Sequence, residues 1–67
     1  MKRLQLWEEV MGIPEKVEQN YIVFKGIGAV EIENKNILQK ASKNIGRKIA
    51  ILRTDIERKE YCWRVVE

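Results

Sequence analysis

Basic side chains recur through the second half of the chain at spacings suited to contacting the phosphates of a nucleic acid. Lys40, Lys43 and Arg47 stand at positions i, i+3 and i+7, which lie on one side of a helix if the helix or its last turn reaches Arg47. Phosphates are contacted mainly by lysine and arginine, with little dependence on base sequence. We therefore predict weak, sequence-tolerant nucleic-acid binding through seven residues, which are Lys40, Lys43, Arg47, Arg53, Arg58, Lys59 and Arg64.

The charge is divided unevenly along the chain. Residues 1–34 carry four basic and six acidic side chains, a balance of −2. Residues 35–67 carry nine basic and four acidic side chains, a balance of +5. A one-sided positive balance is the usual footprint of proteins that bind polyanions. The competing interpretation is that the basic half only keeps a small protein in solution.

Few side chains are arranged for catalysis. Cys62 has no histidine partner, because the chain contains no histidine, so a structural thiol is expected rather than a nucleophile. The carboxylate pairs Glu8/Glu9 and Glu31/Glu33 carry no further signature of acid–base chemistry. We therefore predict that the protein is not an enzyme.

Cofactor and metal motifs are incomplete. Gly26-Ile27-Gly28 shares two glycines with the dinucleotide-binding fingerprint, but Glu31 occupies the position of the third. Asp55, Glu57 and Glu60 lack the glycine of a calcium loop and are interleaved with basic residues. With one cysteine and no histidine, the usual zinc sites cannot form. We predict no cofactor, metal or small-molecule substrate.

Length and hydropathy limit the class of protein. A chain of 67 residues forms one domain, near the lower limit for independent folding, and its 45% apolar content argues against disorder. No apolar run approaches the roughly 20 residues of a membrane span, and no signal-peptide core follows Met1-Lys2-Arg3. We predict a cytoplasmic protein that does not enter a membrane. Its abundance of Lys, Glu, Ile and Arg is also typical of thermophiles.

One helix is predicted at residues 36–45, with Asn34 or Asn36 as its cap. Gly46 should end it in the left-handed conformation. The helix has an apolar stripe, which consists of Ile37, Leu38, Ala41 and Ile45. Ile45 and Ile51 should meet in one core that joins the helix to the strands after it.

A C-terminal β-hairpin is predicted at about residues 47–66. Alternation places Tyr61, Trp63 and Val65 on the core face of its second strand and Arg64 outward. Residues 21–33 are predicted to form a second antiparallel hairpin that turns at the glycines, with a two-residue loop. A single bent strand with a glycine bulge is the alternative for that segment.

Residues 3–11 are predicted to form a short helix, and a strand through Leu4 and Leu6 is the alternative. In the helix, Leu4, Trp7 and Met11 form an apolar stripe. This stripe, or a sheet edge, could join the protein to a second copy or to a protein partner. An interaction module or small homo-oligomeric subunit is therefore the alternative function.

Together these elements predict a single α+β domain over residues 1–67. A winged-helix-like arrangement is one alternative, with the 36–45 helix in a nucleic-acid groove, but it requires two more helices upstream. A partly open barrel is another, in which Arg53, Arg64 and an exposed ring of Tyr61 or Trp63 form a single-strand platform. Packing in the core is favoured for Trp63, because large aromatic side chains dominate small cores.

Overall fold

Two β-sheets and one helix make up residues 1–66, the part of the chain that the computed structural model describes. The helix, α1, spans Lys35–Ser42. The strands in chain order are β1 (Lys2–Arg3), β2 (Glu9–Gly12), β3 (Pro14–Val17), β4 (Tyr21–Phe24), β5 (Gly28–Glu31), β6 (Ile49–Arg53) and β7 (Tyr61–Val65). The prediction of an α+β fold is confirmed.

The strands divide into a four-stranded and a three-stranded sheet. The first has the order β1-β5-β4-β3, with β1 parallel to β5 and the other pairs antiparallel. The second has the order β2-β6-β7 and is antiparallel throughout. Only Ile13 separates β2 from β3, so one stretch of chain supplies a strand to each sheet. No helix among residues 1–66 is long and apolar enough to cross a membrane.

Both sheets and the helix contribute to one hydrophobic cluster. In β4, Ile22 and Phe24 are buried while the alternate residues Tyr21 and Val23 are half-buried, as expected for a strand covered on one face. The buried residues of the cluster are Leu4, Val10, Ile22, Phe24, Val30, Ile32, Ile37, Leu38, Ala41, Ile49 and Ile51. Tyr61, Trp63 and Val65 of β7 pack against it, as predicted, and Arg64 is exposed.

The two predicted hairpins are present. Strands β6 and β7 pair antiparallel from Ile49↔Val65 to Arg53↔Tyr61. Strands β4 and β5 also pair antiparallel, so the bent-strand alternative is wrong. Their loop has three residues, 25–27, rather than the two predicted, because Phe24 pairs with Gly28.

The helix is shorter than predicted. It spans residues 35–42 instead of 36–45, and the Asn34 Oδ1 caps it by accepting from the N–H of Ile37 at 3.1 Å. At its other end the Ser42 hydroxyl and the Asn44 amide donate to carbonyl oxygens of the last turn, at 2.8 and 2.7 Å. Such side chains compete with continued backbone bonding. Ile45 consequently lies beyond the helix and is 45% exposed, so its predicted place in the core is wrong.

Gly46 has a φ of +86°, which confirms the prediction of a left-handed residue, and its N–H donates to the carbonyl of Pro14 at 3.0 Å. A Cβ built there meets no atom within 4 Å, so only the backbone conformation resists substitution. Gly46→Ala should therefore lower the free energy of unfolding by about 1 kcal/mol, as measured by urea denaturation. Gly46→Asn is the control and should cost less, because asparagine tolerates this conformation. A neutral or stabilising alanine would contradict the assigned conformation.

The N-terminal segment is not a helix, so that prediction is wrong. It forms β1, a turn at Leu6–Trp7, and β2, and Leu4 and Leu6 lie between the two strands. The helix would have lacked an N-cap and would have placed Lys2 and Arg3 at its positive end. Pairing with β5 and β6 satisfies the backbone instead. The winged-helix alternative is not confirmed, because residues 1–34 form strands where it needs helices.

Candidate functional site

The stretch from residue 34 to residue 54, which includes α1 and β6, contains no acidic side chain. Its basic residues are Lys35, Lys40, Lys43, Arg47, Lys48 and Arg53. Four of them, which we call the helix-end cations, lie in the second half of α1 and the turn after it. They are Lys40, Lys43, Arg47 and Lys48, and all four are exposed.

Asn44 connects the helix to the turn that carries the last two cations. Its Nδ2 donates to the carbonyl of Lys40 at 2.7 Å, while its Oδ1 accepts from Nη1 of Arg47 at 3.3 Å. The N–H of Arg47 also donates to the carbonyl of Asn44 at 3.0 Å. Arg47 is therefore held against the turn of helix that bears Lys40. This contact brings together two of the residues that the sequence predicts as a binding set.

Two further backbone bonds fix the turn on the sheets. Besides the Gly46–Pro14 bond to β3, the N–H of Val66 donates to the carbonyl of Lys48 at 2.8 Å. The cations therefore project from a segment tied to both sheets. The sequence prediction did not include Lys48 in the binding set, although the absence of acidic residues around it was a readable signal.

None of the ion pairs among residues 1–66 involves a helix-end cation. Among the described residues the pairs are Lys2–Glu8 at 2.7 Å, Arg3 with Glu31 at 3.0 Å and with Glu33, Lys16–Glu18 at 3.1 Å, and Arg64–Glu9 at 3.8 Å. Every carboxylate in them belongs to residues 8–33. No carboxylate of residues 1–66 lies within 4.0 Å of a helix-end cation.

The titration behaviour of the first half reflects the same pairing. The backbone N–H of Gln5 and the ammonium of Lys2 lower the pKa of Glu8 below its ordinary value. The Glu18 carboxylate raises the pKa of Lys16. Several charges in this half are therefore paired with neighbours of opposite sign, and the positive net charge of the protein originates in the second half.

The helix dipole is an alternative reason for cations at this position. The C-terminus of a helix carries the equivalent of roughly half a negative charge, which lysine and arginine stabilise. One cation would be enough to offset it. The four helix-end cations exceed that requirement several-fold, so the surface remains positive and able to attract an anion.

The other predicted binding residues do not join this cluster. Arg53 is half-buried, and its Nη1 donates to the carbonyl of Leu4 at 2.6 Å. Arg64 pairs with Glu9 on the three-stranded sheet. Arg58 and Lys59 are exposed in the loop between β6 and β7, at the opposite end of β6 from Arg47 and Lys48. Five strand residues span roughly 16 Å, so the two basic groups form separate surfaces.

The predicted N-terminal interaction surface does not form as one stripe. Leu4 is fully buried, whereas Trp7 is 56% exposed and Met11 is 37% exposed. Trp7 has a φ of +64°, and its N–H donates to the carbonyl of Arg53 at 2.6 Å. The tight turn at Leu6–Trp7 thus directs Leu4 inward and leaves Trp7 at the surface.

Nucleophilic side chains and groups of metal-ligating side chains are few among the described residues. Cys62 is half-buried on β7, and the described residues contain no group of three His, Cys, Asp or Glu side chains that could hold a metal ion. The chemistry open to the helix-end cations is to attract and contact anionic groups.

A family comparison covers most of this structure. The family described as "Domain of unknown function (DUF272), C-terminal" matches residues 14–67, which include β3 to β7, α1 and all the helix-end cations. No curated protein and no solved structure matches the chain. Because the match extends over more than half of the sequence, the chain belongs to the DUF272 C-terminal domain family.

Proposed function

We propose that this protein is a non-enzymatic, cytoplasmic nucleic-acid-binding domain whose helix-end cations contact the phosphate backbone with little sequence preference. One observation carries the proposal: four exposed cations lie within residues 40–48, and no described carboxylate lies within 4.0 Å of them. Lysine and arginine in such an arrangement bind phosphates without reading bases.

The number of cations sets the expected strength and salt dependence. If all four contact phosphates of a duplex, the slope of log K against log salt is about −3.6. Affinity should then fall about 100-fold between roughly 50 and 200 mM salt. With so few contacts, the dissociation constant should be about 1 µM or weaker at physiological salt.

The test is fluorescence anisotropy with labelled duplex DNA, single-stranded DNA and single-stranded RNA, each in two unrelated sequences, across a salt series. The triple variant Lys40→Ala/Lys43→Ala/Arg47→Ala should weaken binding to both sequences of each kind alike. It should also reduce the magnitude of the salt slope by about 3, because each cation removed leaves one phosphate with its counterion and lowers the slope by about 1.

A control with matched charge is Lys2→Ala/Lys16→Ala/Lys25→Ala. Both triple variants reduce the formal net charge from +3 to 0, so the control matches the change in net charge. Lys2 and Lys16 are paired with Glu8 and Glu18, and Lys25 lies in the loop between β4 and β5. The control should retain most of the affinity. Equal losses of affinity in the two variants would mean that binding depends on net charge and not on the helix-end cations, which would contradict the proposal. Absence of binding by the wild type at about 50 mM salt would also refute it.

A further inference from the structure

Strand β7 lies at the edge of the three-stranded sheet and pairs only with β6 among the described strands. Backbone bonds at both ends of the hairpin determine which groups face outward. The N–H of Thr54 donates to the carbonyl of Glu60, and the N–H of Val66 donates to that of Lys48. Since bonded and non-bonded pairs alternate in an antiparallel ladder, Cys62 and Arg64 direct their backbone groups to β6. The N–H and C=O groups of Tyr61, Trp63 and Val65 therefore point away from β6, toward the open edge.

The three other edge strands that the structure describes are shorter than β7, and β3 is interrupted as well. Strand β1 has two residues, and β3 begins at Pro14 and shifts register before Lys16. Strand β2 has four residues and ends at Gly12. Short edges, prolines and bulges are the devices by which proteins prevent edge-to-edge pairing. Strand β7 has five residues, a continuous register with β6, no proline or glycine, and one charge, on Arg64.

We propose that β7 pairs antiparallel with β7 of a second copy of the chain, around a two-fold axis at Trp63. In this register Trp63 faces Trp63 of the second copy, and Tyr61 faces Val65. In each of these pairs the backbone groups of the two residues face each other across the ladder. Each pair therefore exchanges two N–H···O bonds, and every outward N–H and C=O group of the three residues has a partner. The two three-stranded sheets become one continuous antiparallel sheet.

Complete pairing of the outward backbone groups and the avoidance of like charges together favour a second copy as the occupant. In the register centred on Trp63, Arg64 of each chain faces the neutral Cys62 of the other. A register centred on Arg64 would set two like charges opposite each other, which is destabilising. A register centred on any residue of β7 other than Trp63, Cys62 included, would set Tyr61 or Val65 opposite a residue outside the strand and leave its outward groups unpaired. The strand is thus complementary to itself in one arrangement, as a two-fold interface requires.

The test combines the mass of the particle with amide hydrogen exchange. Sedimentation across a concentration series should show the mass doubling as concentration rises. Under dimeric conditions the amides of Tyr61, Trp63 and Val65 should become protected, whereas those of Cys62 and Arg64 are protected in the monomer as well. A monomer at every concentration, or a dimer without protection of the three outward amides, would overturn the proposal.

A proline variant gives an independent measurement. The N–H of Val65 points outward, so Val65→Pro removes bonds between copies and none to β6. It should raise the dissociation constant of the dimer at least about tenfold. An unchanged dimer would overturn the proposal, and if the variant fails to fold, hydrogen exchange on the wild type decides. The experiment uses no nucleic acid, so its outcome is independent of the proposed function.

Discussion

Replacing Ile51 with alanine should lower the free energy of unfolding by about 2–5 kcal/mol. Ile51 is fully buried on β6, the middle strand of its sheet, where it stands between Val10 and Trp63. Alanine would leave a cavity that the neighbouring side chains fill only partially. Because small domains have only about 5–15 kcal/mol of stability, such a change should unfold an appreciable fraction of the protein. Urea denaturation followed by tryptophan fluorescence measures it.

Ile45→Ala is the matched control. The same atoms are removed, but Ile45 is 45% exposed and lies in the turn after α1. We expect a cost below about 1 kcal/mol, as is usual for surface substitutions. If the two variants are destabilised equally, α1 continues through Ile45 and its apolar stripe reaches the core.

Local signals in the sequence were sufficient for the elements whose stabilising contacts are local. The hairpin of β6 and β7 follows from alternation and from a short charged loop, and the start of α1 follows from Asn34. The end of α1 was missed by three residues. Ser42 and Asn44 bond to the last carbonyls there, and the apolar stripe that continues to Ile45 in the sequence gave no sign of that competition.

The N-terminal strands were missed because their partners are remote in sequence. Lys2 pairs with Val30, and Glu9 pairs with Leu52. Neither β1 nor β2 is long enough to show a clear period of two, whereas Leu4, Trp7 and Met11 fit a helical period by coincidence. Tertiary pairing therefore outweighed the apparent helical pattern.

The same error affected the expected surroundings of two residues of the proposed binding set. Arg53 bonds to the carbonyl of Leu4 and Arg64 pairs with Glu9, so both partners belong to the segment whose structure was mispredicted. Lys40, Lys43 and Arg47 depended only on the helix and the turn after it, which were largely correct. The part of the proposed site whose arrangement follows from local sequence is therefore the part whose position in the fold could be predicted.

The N-terminal segment contributes a fully buried side chain, Leu4, to the core. Leu4→Ala should lower the free energy of unfolding by about 2–5 kcal/mol, because Leu4 is fully buried in the main cluster. Leu6→Ala is the control, since Leu6 is 53% exposed two residues away, and it should cost less than about 1 kcal/mol. Trp7→Ala should also cost little, because Trp7 is 56% exposed. In the helix predicted for residues 3–11, by contrast, packing of Trp7 would have been required for stability.

Urea denaturation of the three variants measures these differences. The family match begins at Pro14. Denaturation of these variants therefore also tests whether residues 1–13 unfold in the same cooperative transition as the rest of the domain. Strands β1 and β2 pair with β5 and β6, and the Leu4 carbonyl accepts the Arg53 guanidinium, which links the segment to both sheets. A Leu4→Ala variant with the midpoint of the wild type would mean that residues 1–13 separate from the fold before it unfolds.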